Sequence, residues 1–278
     1  MKYCIFAAIL LLFLFNQNAR AQEVTVLTWN IRYDNPADGQ NNWNHRKAWL
    51  CESIREAGPL VFGIQEGLRH QVDYIDSTLE QYAYVGCGRD DGRARGEHCA
   101  IFYREKECRV IRQGTFWLSP TPGKVSVGWD AALERICTYG LFQTGETRFW
   151  VFNTHFDHMG DTARLESARL VLRKISSLNK KRYPVILMGD FNCEPGSAPY
   201  RVVSATMQDA VSANKAMDMG PGGTFNGFDP KRPVTERIDF IFTAGTGIKA
   251  VDYRVWRGER DGRFASDHFP VLVRLLFD

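Results

Sequence analysis

Short apolar runs that stop abruptly at a polar residue recur along this chain. Residues 24–30, VTVLTWN, alternate and are β-branched, which predicts a strand, and Asn30 ends it. Trp49, Leu50, Ile54 and Ala57 then fall on one face of a helix. Asn44 is placed to cap this helix, and Gly58-Pro59 to stop it. Residues 60–66, LVFGIQE, follow as a second strand, ending in Glu66. The same order returns later. RFWVFNTH, 148–155, is a strand closing on Asn153 and His155. Asp161 is placed to open a helix with Leu165, Ala168, Leu172, Ile175 and Leu178 on one face. VILMGD, 185–190, is a fully apolar strand that ends in Asp190, with Asn192 two residues on. Further strands are predicted at 82–87 with 98–104, 109–117 with 137–144, then 237–243, 249–256 and 270–277. Two similar halves with many strands and few helices predict an α/β fold of two sheets packed face to face, helices outside.

The first residues change the picture of where the chain works. MKYCIFAAILLLFLFNQNARAQ has a positive start at Lys2, an unbroken apolar run and an Ala19-Arg20-Ala21 cleavage pattern. Residues 1–21 are therefore expected to be a secretory signal peptide, its apolar run too short to span a membrane comfortably, leaving residues 22–278 as one domain in the periplasm or outside the cell. Cys4 precedes the apolar run, so lipidation is not expected. No other segment is long and apolar enough to cross a bilayer. The net charge of +3 falls to +1 once Lys2 and Arg20 leave with that segment. A near-neutral chain gives little support to tight binding of a polyanion. Three arginines, Arg89, Arg93 and Arg95, do share one loop, with Asp90 and Asp91 partly cancelling them. The six cysteines after residue 21 fit no zinc spacing. Cys99 and Cys137 read as small core residues, and a bridge from Cys87 to Cys99, or from Cys51, stays open.

Polar groups at the ends of buried strands are costly unless paired or holding an ion. A single Asp or Asn there is ordinarily a turn residue. Here several strand ends carry one: Asn30, Glu66, His155 and Asp190, then Asp239 inside RIDFIF and Asp267-His268 before the last strand. Such ends are expected to converge on one cleft.

TWNIR, IQE, GEHCAIFY, NTHFDH, GDFN, RIDFIF and SDH occur in the order found in the endonuclease/exonuclease/phosphatase superfamily, and the chain resembles its deoxyribonuclease I-like members from about residue 24 onward. The resemblance implies a four-layered α/β sandwich of two mainly antiparallel sheets. It also implies a metal-dependent hydrolase cleaving a phosphodiester or phosphomonoester with an activated water. By the same resemblance Glu66 is the leading metal ligand, with Asn30 and Asp267 beside it, and Mg²⁺ is the expected ion, Mn²⁺ the alternative. Asp190 and Asn192 are expected to handle the attacking water, His268 with Asp239 the phosphate, and His155, backed by Glu97, the developing charge or the leaving oxygen. Asn153 is expected to add a phosphate hydrogen bond. Arg135 and Trp129, in the segment FWLS…GWDA…R, are candidate substrate contacts. A secreted nuclease is the less favoured alternative, and a non-catalytic phosphate-binding protein would require a broken motif. His at position 155 argues against the AP endonuclease branch, which resembles one another in placing Tyr there.

Overall fold

The structure, a computed structural model, describes residues 22–213 and 222–278; the expected signal peptide lies outside the described residues. The first half of the chain forms β1 (Gln22–Asn30), α1 (Trp43–Ala57), β2 (Val61–Gln65), α2 (Arg69–Thr78), β3 (Tyr82–Val85) and β4 (Ile101–Arg104). The second half forms β5 (Arg109–Trp117), β6 (Ile136–Thr144), β7 (Thr147–His155), α3 (Asp161–Leu178), β8 (Val185–Asp190), α4 (Ala198–Ser204), β9 (Gln208–Asp209) and β10 (Asp239–Ala244). β11 (Ile248–Val255) and β12 (Val271–Phe277) return to the first sheet. The strand orders are β11-β12-β1-β2-β4-β3 and β5-β6-β7-β8-β10-β9. Each sheet is antiparallel apart from one central parallel pair, β1 with β2 and β7 with β8. Those parallel pairs need crossover helices, which α1 and α3 supply. The strand–helix–strand order read twice from the sequence is thus the centre of each sheet.

Side-chain alternation builds the layers. On β8, Ile186 and Met188 join the core between the sheets, while Val185 and Leu187 join the core beneath α3. On β2, Val61 faces the other sheet, and Phe62 and Ile64 pack with Leu50 and Ile54 of α1. The layers run helix, sheet, sheet, helix, as expected from the sequence.

Some local expectations are corrected. α1 begins at Trp43, and its cap is Asn42, whose side chain accepts from Asn44 N; Asn44 is inside the helix. Gly58, with φ +56, ends the helix as expected. Asp161 is the first helical residue of α3 rather than its cap. The capping oxygens come instead from Asp130, which accepts from Thr162 N and Ala163 N at 3.2 and 2.6 Å. Thirty residues of separation hide that cap from any local reading. All six cysteines of the described residues are free, and Cys99 and Cys137 are buried.

Between the two sheets, Asn153 of β7 is fully buried. Its Nδ2 donates to Ile64 O and Ala100 O at 2.8 and 2.9 Å, and its Oδ1 accepts from Gln65 Nε2 at 2.7 Å. This amide spends its hydrogen bonds joining the sheets and does not line the cleft, so the phosphate contact expected of it is replaced by a structural role. Gly63 makes room for it: a Cβ there would sit 2.7 Å from Asn153 Cγ and from Met188 Cε. Gly63→Ala should therefore destabilise the protein by about 1–3 kcal/mol through overpacking. Gly123→Ala, whose Cβ would meet nothing within 4 Å, should stay within about 0.5 kcal/mol. Equilibrium urea unfolding of the two variants against the parent checks both values.

Candidate active site

Parallel strands deliver their C-terminal ends to one edge of a sheet, and antiparallel neighbours deliver their N-terminal starts to the same edge. Glu66 therefore follows β2, His155 and Asp190 end β7 and β8, and Asp239 begins β10 opposite Asp190 in register. Asp267 and His268 sit just before β12. The cleft they share has a volume of about 660 Å³, and its walls include Glu66, Glu97, Arg135, His155, Asp190, Asn192, Asp267 and His268. Of the residues singled out from the sequence these eight line the cleft, Asn30 and Asp239 bond to its walls from behind, and Trp129 and Asn153 lie outside it.

Asp190 sits at the centre. Its Oδ2 accepts from Asn30 Nδ2 at 2.9 Å and its Oδ1 from Asn192 N at 2.8 Å. Burial, then the neighbouring Asp239, pushes its pKa up to about 7. The end of β8 that carries it needs glycine: Gly189 has φ +142, and a Cβ would lie 2.0 Å from Thr154 O of the neighbouring strand. Asn30 uses its second amide hydrogen on Glu66 Oε1 at 3.0 Å, and its own oxygen accepts from Arg32 N. Asn30 is thus a brace between Glu66 and Asp190, buried behind them. Glu66 Oε2 accepts from Tyr33 N at 3.0 Å. Arg32, Glu66 and Asn192 all hold positive φ without being glycine, and all three line the cleft. Strain of this kind persists only where surrounding contacts impose it.

The two histidines have opposite surroundings. His268 Nδ1 is 2.9 Å from Asp239 Oδ2, the pairing expected from the sequence. Burial opposes a charge on this ring, but Asp239, Asp190 and Asp267 together outweigh it and raise the pKa well above the usual histidine range. His155 Nδ1 lies 3.0 Å from Arg135 Nη1, which can only donate, so Nδ1 accepts; Nε2, which then carries the ring proton, faces Asp190 Oδ2 at 3.5 Å and Asn192 Nδ2 at 3.0 Å. Burial, then Arg135 and Arg89, lowers its pKa well below the usual range, so the ring is neutral. The expected Glu97–His155 hydrogen bond is not formed, the separation being 3.9 Å. Glu97 instead accepts from Arg89 at 2.6 Å, and burial followed by the charge of Glu66 raises its pKa to about 7. Arg135 is held beside His155 by Asp157, whose Oδ1 lies 3.4 Å from its Nε and also accepts from Ala132 N, and by His158 Nδ1, 2.9 Å from its Nη2.

Trp129 stands outside the cleft walls, half-buried against the core beneath α3. Arg46 was not singled out by sequence reasoning. It is buried in α1, donates to the carbonyls of Ile31, Arg32, Asn41 and Ala265, and has its pKa lowered to about 10 by burial. It clamps the loop after β1 to the segment before Asp267. Arg32 was also missed; its Nε lies 3.0 Å from Asp38 and 3.7 Å from Asp267. A charged residue in a loop carries no local signal of such a role.

Two donor sets suit a cation. Asp190, Asp239 and His268 each bring a ligand atom within 4.8 Å of the others. In that group His268 Nδ1 is already engaged with Asp239. Glu66 and Asp267 offer oxygens only, the donors hard divalent ions prefer. The pKa of Asp267 is raised by burial and by the charge of Glu66, so a cation between them would relieve a repulsion the fold imposes.

The Endonuclease/Exonuclease/phosphatase family matches residues 27–268. A solved mannosyl-6-phosphatase from Bacteroides thetaiotaomicron VPI-5482 is 38% identical and superposes with a TM-score of 0.85, covering 91% of this chain and 100% of that one. An endonuclease/exonuclease/phosphatase family protein from Bacteroides thetaiotaomicron is 36% identical with a TM-score of 0.86, over 93% and 99% of the two chains. Human nocturnin is 22% identical over 216 residues, 70% of this chain and 48% of that protein. The chain spans about half the length of such curated relatives. The match runs from β1 through His268 and so encloses every residue of the cleft: the chain belongs to the endonuclease/exonuclease/phosphatase family, whose members are hydrolases of phosphoester bonds.

Proposed function

We propose that this chain is an exported, Mg²⁺-dependent phosphomonoesterase acting on a small phosphorylated molecule, a sugar phosphate foremost. The observation that carries the reading is the meeting of a near-neutral-pKa carboxyl, Asp190, with a charged His268 and the Glu66–Asp267 oxygens in one walled cleft. The likeness to a mannosyl-6-phosphatase over the length of both chains supports the choice of a sugar phosphate. A nuclease grips a long backbone with cations spread along a groove. Here Arg95 is drawn to Asp91, and Arg89 to Glu97. That distribution favours the small substrate.

Glu66 and Asp267 would hold the ion, with Asn30 keeping Glu66 in place. A divalent cation there would offset the negative charge of the phosphate. The chain's own groups do the rest. Asp190, with a pKa about 7, is matched to taking a proton from the attacking water. His268 carries a positive charge fixed by Asp239 and draws a phosphate oxygen. Neutral His155 is not suited to giving a proton to the leaving oxygen; with Arg135 it forms the opposite wall and orients the phosphate. Water oxygen bonds to phosphorus, the ester P–O bond breaks, and the alcohol oxygen leaves with the bonding pair and is protonated by solvent.

Two substitutions separate these roles on a sugar monophosphate. Asp190→Asn should lower kcat by about 10²–10⁴-fold at saturating Mg²⁺. Glu66→Gln should raise the Mg²⁺ concentration for half-maximal rate by about 10–100-fold. Chelation should abolish the parent activity, and added Mg²⁺ restore it. Near-parental kinetics in either variant contradicts the role given to that residue.

Export rests on residues 1–21 alone. Expressed whole in a bacterium, the chain should be recovered outside the cytoplasm with Gln22 as its first residue, by intact mass and N-terminal sequencing. A cytoplasmic chain that still carries residue 1 rejects it.

A further inference from the structure

A second groove of about 680 Å³ opens beside the catalytic cleft. The two share Asn192, Glu236 and Ile238 as walls, so the groove is a continuation of the cleft. It lies between the start of α3, the turn after β8 with the start of α4, and the segment leading into β10. Its lining is more apolar than polar and includes Leu165, Pro199 and Ile238. Carboxylates of Asp161, Glu194 and Glu236 stand around these, with one guanidinium, Arg164, among them. Arg164 is paired with Asp161, and Arg232 with Glu236. Among the described residues no hydrogen bond or ion pair occupies the Glu194 carboxylate.

This lining differs in chemistry from the catalytic cleft. That cleft sets Arg32, Arg135 and the His268 ring around the proposed cation donors Glu66 and Asp267. With Asp161 and Glu236 each paired to an arginine, the groove presents apolar side chains, one unpaired carboxylate, Glu194, and no unpaired cation among the described residues. It repels a second phosphate, so a nucleic-acid backbone or polyphosphate is disfavoured along it. It suits a neutral polyhydroxyl chain: carboxylates accept hydrogen bonds from hydroxyls, and the C–H faces of sugar rings cover apolar surface.

We propose that this groove is a subsite for the leaving group, and that the substrate is an oligosaccharide phosphorylated on its terminal sugar rather than a free monosaccharide phosphate. The proposal rests on the phosphomonoesterase reading above. The phosphate sits among the arginines and His268, and the neutral sugars behind the phosphorylated one run past Asn192 and Ile238 into the groove. The backbone that builds the groove is firm. Asp130 fixes the start of α3, and Asn192 N is held on Asp190.

The probes are mannose 6-phosphate and mannotriose 6-phosphorylated on its non-reducing end, assayed with Mg²⁺. The parent protein should show a KM for the trisaccharide phosphate at least about tenfold lower, the equivalent of 1.4 kcal/mol. Ala198 is exposed and borders the groove away from the catalytic residues. Ala198→Trp should fill the groove, removing that advantage while leaving mannose 6-phosphate kinetics within twofold. Glu194→Lys should weaken the trisaccharide phosphate alone and relieve the discrimination against a 5′-phosphorylated oligonucleotide. If mannose 6-phosphate is hydrolysed but the trisaccharide phosphate has no lower KM, the subsite is wrong and the phosphomonoesterase reading stands. The same holds if Ala198→Trp raises both KM values equally. If the parent hydrolyses neither phosphate, the phosphomonoesterase reading falls and the subsite with it.

Discussion

Four carboxylates, Glu66, Asp190, Asp239 and Asp267, share one edge of the sandwich, and three of them are buried there. Holding like charges in a place of low dielectric is the constraint on which the rest of this structure depends. The fold meets it with three devices. Asn30 divides one amide between Glu66 and Asp190. His268 places a positive ring among Asp239, Asp190 and Asp267. Arg32 and the buried Arg46 lend charge beneath Asp267 and Glu66. Burial and the repulsion that remains raise the pKa of Asp190 and Asp267, and the proposed reaction uses that of Asp190.

Those devices work only if the two sheets keep a fixed separation. Gly63 lets β2 and β7 approach, and Asn153 joins them through backbone carbonyls of Ile64 and Ala100. Glu66 comes from one sheet and Asp190 from the other, so a shift between sheets would move the proposed cation donors away from the proposed base. Rigidity at Asn153 is in this sense part of the chemistry, though the residue touches no substrate.

The opposite wall is organised by a different logic. Arg135 presents donors to His155 and to His158, while Asp157 holds the loop that delivers it. The result is a neutral ring facing a charged one across Asp190. That asymmetry gives the cleft a direction, and the acidic, partly apolar groove beyond Asn192 continues it. On the proposed reading, phosphate would be drawn to one end and an uncharged leaving group held at the other.

The sequence by itself determined the sandwich, because period-two alternation and the doubled strand–helix–strand order leave few other ways to bury those faces. It also determined which strand ends carry oxygen and imidazole groups, since a polar residue closing an apolar run stands out locally. The His268–Asp239 pair was legible through the resemblance to the family. Only the tertiary structure decided the partners of residues whose contacts are remote. Asn153 looked like a phosphate ligand and is an inter-sheet joint. Asp161 looked like a cap, and Asp130 supplies the capping oxygens from another loop. Glu97 was expected behind His155, yet Arg135 occupies that place. In each case the residue's type was informative and its role was not, because hydrogen-bond partners are chosen by distance in space, and distance in sequence says nothing about them.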